Sequence, residues 1–197
     1  VEDPRPGVLI CPEWWGLNDY AKRRAQEVAE LGYVAFVMDP YGEGKVVTAR
    51  EDAQRLAGAL YAPDGQTGVR ELMRGRAAAA MKTLKTQPQT DPARLAAMGY
   101  CMGGTVSLEL ARAGVEGENL RAVVSFHGGL STPKPEVARD VKASILVCHG
   151  SVDPFVPPAE VAAFQKEMDV AGADYQLISY SGAVHSFTNP AAKGEIP

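Results

Sequence analysis

The residues best suited to chemistry lie in the run Gly99-Tyr100-Cys101-Met102-Gly103, which follows an apolar stretch and precedes a segment of helical period. A nucleophile at a tight strand-to-helix turn needs small residues two positions before and two after it, because its backbone angles are strained. Gly99 and Gly103 meet that need. The helix N-terminus would also favour a thiolate at Cys101. The pattern predicts a cysteine nucleophile, and the alternative is a small buried cysteine without a chemical role.

An acid and a base follow the nucleophile in the order that hydrolases with such a turn use. Asp153 lies in a loop after the apolar run 144–148, and His185 lies in a loop after the run 174–180. Both loops are expected at the carboxyl edge of a parallel sheet, where the turn of Cys101 also lies. We predict that His185 moves the thiol proton and that Asp153 orients the imidazole.

Each member of this pair also has a simpler interpretation. An aspartate before proline often forms a turn, and a single histidine in a loop is more often structural than catalytic. Two other histidines follow apolar runs as well. His149 is too close to Asp153 in the chain to complete the usual order, and the loop of His127 precedes the acid. For His127 we expect pocket lining or a structural hydrogen bond.

Acyl transfer also needs N–H donors aimed at the developing oxyanion. Met102 supplies one directly after the nucleophile, and Trp14 supplies a second from the loop after the run that ends at Cys11. Glu13 is unusual there, because a carboxylate among tryptophans is costly to bury unless it is paired or used. We predict that Glu13 binds the thiol proton in the resting enzyme, and a glutamate that points into solvent is the alternative.

Aromatic residues on the same loops favour an apolar pocket for small aromatic or alicyclic acyl groups. No cofactor or metal is expected, because the cysteines and histidines lack metal-ligand spacing. The predicted lining residues are Trp15, Tyr41, His127, Phe155 and Phe187.

Apolar runs alternate with segments of helical period, which indicates alternating strands and helices. Crossovers of this length favour a mostly parallel sheet with helices on both faces, a three-layer α/β sandwich. The turn predicted at Cys101 is typical of the α/β-hydrolase type of this sandwich. Asn18 or Asp19 can cap the first helix, which Gly32 stops. The six predicted strands are 8–11, 33–38, 95–99, 122–126, 145–148 and 175–180.

Segment 42–68 interrupts this alternation with an extra predicted helix at 48–60 and a loop that contains proline and glycine. It is either a lid or a surface excursion without contact to substrate. With that segment included, residues 1–197 are expected to form one domain.

The composition bears on the partners and the cellular compartment of the protein. The chain has 197 residues, 46% of them hydrophobic, and a net charge of -4 with both signs interspersed, so neither nucleic acid nor a membrane is an expected partner. Three widely spaced cysteines do not form a disulfide framework, which favours a reducing cytoplasm. We expect a monomer or a small homo-oligomer that acts on a small-molecule ester or lactone.

Residues 7–189 resemble the dienelactone hydrolase family, a branch of the α/β hydrolases. Gly-Tyr-Cys-Met-Gly-Gly at 99–104 is similar to the family's turn, with cysteine where most hydrolases carry serine, and Asp153, His185 and Glu13 match its other segments. The resemblance implies a glutamate that interacts with the cysteine and releases it when substrate arrives.

The sequence departs from that family in two respects. Dienelactone-cleaving members are expected to hold the substrate carboxylate with two arginines, one of them shortly after the histidine, but Ser186-Phe187-Thr188-Asn189-Pro190 follows His185. Arg70 or Arg74 could match the other arginine. The family also usually begins with one or two more strands and finishes with a helix, and we expect this domain to lack them.

The sequence is compatible with three functions. Hydrolysis of a small ester or lactone through an acyl-enzyme comes first, and a general carboxylesterase or thioesterase is its close alternative. A non-catalytic ligand-binding or redox-sensing protein on the same fold is the alternative from another class.

Overall fold

The computed structural model describes residues 3–114 and 119–192, in which a six-stranded parallel sheet is flanked by helices on both faces. The strands are β1 Arg5–Cys11, β2 Val34–Val37, β3 Thr90–Tyr100, β4 Leu120–Phe126, β5 Ser144–Gly150 and β6 Tyr175–Tyr180. Their order in the sheet is β2-β1-β3-β4-β5-β6. The helices are α1 Asp19–Glu30, α2 Arg50–Tyr61, α3 Glu71–Lys85, α4 Met102–Arg112 and α5 Pro158–Ala171, with short 3-10 turns at Pro135–Asp140 and Pro190–Ala192. The predicted three-layer α/β fold is confirmed.

The signals at helix ends act as the sequence predicts. The Asn18 side chain accepts the N–H of Ala21 at 3.0 Å and caps α1, and Gly172 ends α5 in the left-handed region. Several boundaries differ from prediction, and β1 and β4 begin at Arg5 and Leu120 rather than at 8 and 122. Strand β3 begins at Thr90 because its polar first residues pair with the start of β1 across a register shift, and α2 begins at Arg50, two residues later than predicted.

Alternation along the strands directs side chains to two cores. Val8 and Ile10 pack with Tyr20 of α1 on one face, while Leu9 points to the opposite face, where α3, α4 and α5 cover the sheet. Helix α4, which begins directly after the predicted nucleophile, is buried along its whole length. The central strands and α4 therefore form the rigid base of the predicted site.

A buried ionic cluster anchors α4. Glu109 of α4 is 0% exposed and pairs with Arg70 at 3.2 Å and with Arg74 at 2.7 Å. Arg112, one turn later, pairs with Glu167 of α5 at 2.7 Å. Removal of one partner from such a group leaves an uncompensated buried charge, so the cluster fixes α4 against its neighbours.

Gly103 offers a test of this close packing. A Cβ atom there would lie 2.0 Å from the carbonyl oxygen of Cys11, so β1 and α4 would have to separate. We expect Gly103→Ala to lower the free energy of unfolding by about 1–3 kcal/mol. Gly75→Ala is the matched control, since a Cβ atom there meets nothing within 4 Å, and it should raise stability by about 0.5–1 kcal/mol. Urea unfolding of both variants measures this, and equal stabilities would refute the steric argument.

Candidate active site

Cys101 occupies a strained turn between β3 and α4. Its φ is 53° and its ψ is -119°, a left-handed conformation that is rare for a residue with a side chain. A Cβ atom at Gly99 would lie 1.9 Å from the carbonyl oxygen of Gly103, so the two flanking glycines are sterically required. The turn holds the sulfur at the first turn of α4.

The three residues predicted as nucleophile, base and acid lie in one hydrogen-bonded line. His185 Nε2 is 3.1 Å from Cys101 Sγ, and His185 Nδ1 is 2.8 Å from Asp153 Oδ2. Asp153 lies in the loop after β5 and His185 in the loop after β6. The N–H of Phe155 donates to the other oxygen of Asp153 at 2.9 Å, which fixes the carboxylate.

The electrostatics of this line favour an imidazolium. Burial alone would lower the pKa of His185, but hydrogen bonds to Asp153 and Cys101, together with their negative charges, raise that pKa to about 10. Burial would raise the pKa of Asp153, but the hydrogen bonds from His185 and Phe155 lower it below its ordinary value. A charged His185 is thus stabilised between a carboxylate and a sulfur.

The predicted oxyanion donors border the same space as the nucleophile. Trp14, Met102 and Cys101 all line one cavity. The loop of Trp14 is held from behind, because the Tyr41 hydroxyl donates to the Trp14 carbonyl at 2.7 Å. The N–H of Val47 also donates to the carbonyl of Trp15 at 3.1 Å. These bonds fix the loop that carries the second predicted donor.

Glu13 is buried beside the cavity rather than solvated. Its side chain is 4% exposed, and its Oε1 has no hydrogen-bond partner among the described residues. Burial raises the pKa of this carboxyl above its ordinary value, against the opposing effects of the charge on His185 and of hydrogen bonds from Asn189 and Ser186. Glu13 is therefore a carboxyl group that readily holds a proton.

The cavity has a volume of about 370 Å³, which suits a small substrate. Of the residues predicted to line it, Trp15 and Phe155 do so. Tyr41, His127 and Phe187 lie outside the lining, which corrects the prediction for these three, and for His127 the alternative expectation of a structural hydrogen bond is the one that the structure shows. Tyr41 faces the back of the Trp14 loop, and the rings of His127 and Phe187 pack against each other. A position on a rim loop did not determine which way each ring points.

The cavity also has lining residues that the sequence did not single out. Arg50, Gln54 and Tyr61 belong to α2, so the segment 42–68 supplies one wall. Their spacing of four and seven residues, one face of a helix, was the available signal. Of the two arginines considered from the sequence, Arg70 lines the cavity and Arg74 does not, and both donate to Glu109.

Within 3–114 and 119–192, no group of three or more His, Cys, Asp or Glu side chains is arranged to hold a metal ion. In the same ranges, no helix combines the length and the apolar character that a bilayer crossing requires.

Replacement of Asp153 by asparagine tests the electrostatics. Since a neutral amide no longer stabilises the imidazolium, we expect Asp153→Asn to lower the pKa of His185 from about 10 toward 6.5. The rate of ester hydrolysis should also fall by about 10⁴-fold. An NMR titration of the imidazole protons measures the pKa, and Asp140→Asn, which changes an exposed aspartate, is the control. An unaltered His185 titration would contradict the assignment.

The comparisons with known proteins place the chain in one family. A model described as the dienelactone hydrolase family matches residues 1–196. A solved structure described as a dienelactone hydrolase-like promiscuous phosphotriesterase from metagenomic libraries is 40% identical, with a TM-score of 0.88, over 100% of this chain and 79% of that chain.

Two curated relatives extend the match over most of the sequence. Protein usf of Aquifex pyrophilus is 31% identical over 187 residues, which is 93% of this chain and 77% of that protein. A probable 2-oxo-3-(5-oxofuran-2-ylidene)propanoate lactonase of Bradyrhizobium sp is 28% identical over 192 residues, 92% of this chain and 73% of that protein. This chain belongs to the dienelactone hydrolase family of α/β hydrolases and is a carboxylic ester hydrolase.

Proposed function

We propose that the protein cleaves a small ester or lactone through a covalent thioester on Cys101. The observation that carries this proposal is the unbroken line from Asp153 through His185 to the Cys101 sulfur, with contacts of 2.8 and 3.1 Å. The line ends in a cavity that is open to a small ligand. The lactonase name of the Bradyrhizobium relative supports a lactone as one substrate type.

In the first half-reaction, the Cys101 thiolate attacks the carbonyl carbon and the carbonyl π electrons move to oxygen. The N–H groups of Trp14 and Met102 hold that oxyanion. As the carbon–oxygen bond breaks, the His185 imidazolium donates its proton to the leaving alkoxide. An ester releases an alcohol at this point, whereas a lactone keeps its new hydroxyl tethered to the acyl group.

In the second half-reaction, water attacks the thioester carbon. His185 takes a proton from the water, the Cys101 thiolate departs and the carboxylic acid is released. Asp153 keeps the imidazole in the same orientation through both steps. To Glu13, which lines the same cavity and has a raised pKa, we assign the thiol proton before substrate binds, in keeping with the role that the family resemblance implies.

The cysteine is tested by paired variants. We expect Cys101→Ala to lose about 10³-fold or more of the hydrolysis of p-nitrophenyl acetate, because the thioester cannot form. Mass spectrometry of acid-quenched parent enzyme should detect one acetyl group on Cys101. Cys148→Ala is the matched control, since Cys148 is buried and does not line the cavity, and it should retain most of the rate. Full activity in Cys101→Ala would exclude this mechanism.

A substrate panel separates the remaining functions. We expect kcat/KM to be highest for a simple lactone or an aryl acetate, and lower for an acyl thioester. A preference for the thioester would reassign the protein as a thioesterase. The promiscuous phosphotriesterase among its relatives adds diethyl p-nitrophenyl phosphate as a second candidate substrate, attacked at phosphorus by Cys101 with release of p-nitrophenolate. No turnover of any substrate would favour a binding or sensing role instead.

A further inference from the structure

His127 has an unusual conformation at the end of β4. Its side chain is 1% exposed, and its φ is 41°, which is uncommon for a residue other than glycine. Its backbone N–H donates to the carbonyl of Cys148 at 2.9 Å. Such a conformation persists only where surrounding contacts hold it, so the contacts of the ring are informative.

The two ring nitrogens of His127 reach two different parts of the proposed catalytic site. Nδ1 accepts the backbone N–H of Cys101 at 3.0 Å. Nε2 lies 2.7 Å from the hydroxyl oxygen of Thr188, three residues beyond His185. The ring also packs edge-on against the His185 ring, with 5.1 Å between centroids.

These contacts define the protonation state of His127. A backbone N–H can only donate, so Nδ1 must carry a free lone pair, and the ring proton must then lie on Nε2 and point to Thr188. Burial, and after it the positive charge of His185, lower the pKa of His127 to about 3. The ring is therefore a neutral connector with one acceptor and one donor, not a proton carrier.

The connection continues beyond Thr188 to α1. The Tyr20 hydroxyl is 3.1 Å from the Thr188 hydroxyl, and the guanidinium of Arg24 donates to both Tyr20 and the Thr188 carbonyl. The loop that carries His185 is thus fixed to α1 at one end and to the Cys101 turn through the His127 ring. Since Cys101 and His185 belong to separate loops, their separation depends on a link of this kind.

We propose that His127 is a positioning residue that joins the Cys101 turn to the loop of His185 and so sets the sulfur-to-imidazole distance for proton transfer. This inference rests on the proposed cysteine mechanism. The Cys101 N–H is shared between the ring and the Phe126 carbonyl, which accepts it at 3.1 Å, and together they fix the turn from which the next N–H, that of Met102, is presented. The role requires both ring nitrogens and no contact with substrate.

Substitutions can remove each half of the link. His127→Phe keeps a planar ring of similar size without nitrogen, and Thr188→Val removes only the partner hydroxyl. His127→Asn restores an acceptor near the Nδ1 position. We expect His127→Phe to lower kcat by about 10²-fold with little change in KM, because a displacement of about 1 Å between reacting groups costs a rate factor of that size. Thr188→Val should lose about tenfold, and His127→Asn should recover part of the loss.

The reactivity of Cys101 toward iodoacetamide gives a readout that needs no substrate. Cys11 and Cys148 are buried, and Cys101→Ala supplies the blank. We expect slower alkylation in His127→Phe and Thr188→Val, and the double variant should be no worse than His127→Phe, because both changes break one link. Thr83→Val, an exposed change on α3, is the control and should match the parent.

The outcomes separate the two proposals. Activity that survives Cys101→Ala would remove the cysteine mechanism, and the positioning role with it. A cysteine-dependent enzyme whose folded His127→Phe variant keeps the parental kcat and alkylation rate would overturn the positioning role alone. Additive losses in the double variant, or a raised KM with unchanged kcat, would also overturn the positioning role alone. Should His127→Phe not fold, Thr188→Val and His127→Asn decide the question by the same two rates.

Discussion

The close approach of backbone at the Cys101 turn constrains the rest of the site. Strand β3 must pass directly into α4, and the carbonyl groups of Cys11 and Gly103 occupy the space where side chains would otherwise stand. This contact fixes the start of α4 against the end of β1. The loop of Trp14 after β1 and the sulfur at the start of α4 therefore share one rigid frame. The loops after β4, β5 and β6 need only to reach that frame from the same edge of the sheet.

Charge is distributed around this frame in two separate groups. Near the sulfur, Asp153, His185 and Glu13 form a set whose proton occupancy is governed by burial and by one another. Glu109 and Arg112 of α4 belong to the ionic cluster that anchors the helix, and Arg70 of that cluster also lines the cavity. The first group has protons to exchange, whereas the second serves to immobilise. Arg70 therefore links the anchored helix to the wall of the cavity.

The sequence was sufficient where the chemistry depends on local pattern. The six strands, the glycines around Cys101 and the order of Asp153 and His185 could be predicted, because periodicity and loop position determine them. The partners of His127 and the wall formed by α2 could not. They depend on how loops distant in the chain meet, and on which way a ring turns after its strand ends. Tyr41 illustrates this limit, since a plausible pocket residue proved to support the Trp14 loop from behind.

Helix α2 carries its cavity-lining residues on a segment that contributes nothing to the sheet. Arg50, Gln54 and Tyr61 lie along one face of that helix, while Leu60 packs into the core. Substitutions at Arg50 and Gln54 would alter the shape and charge of the cavity, whereas Tyr61 also donates to Thr105 of α4 at 3.0 Å and is tied to the start of that helix. The residues of α2 that would contact a substrate are thus distinct from the residues proposed to react with it. Such a division lets a lineage explore new substrates by successive changes in one helix while each intermediate enzyme remains active.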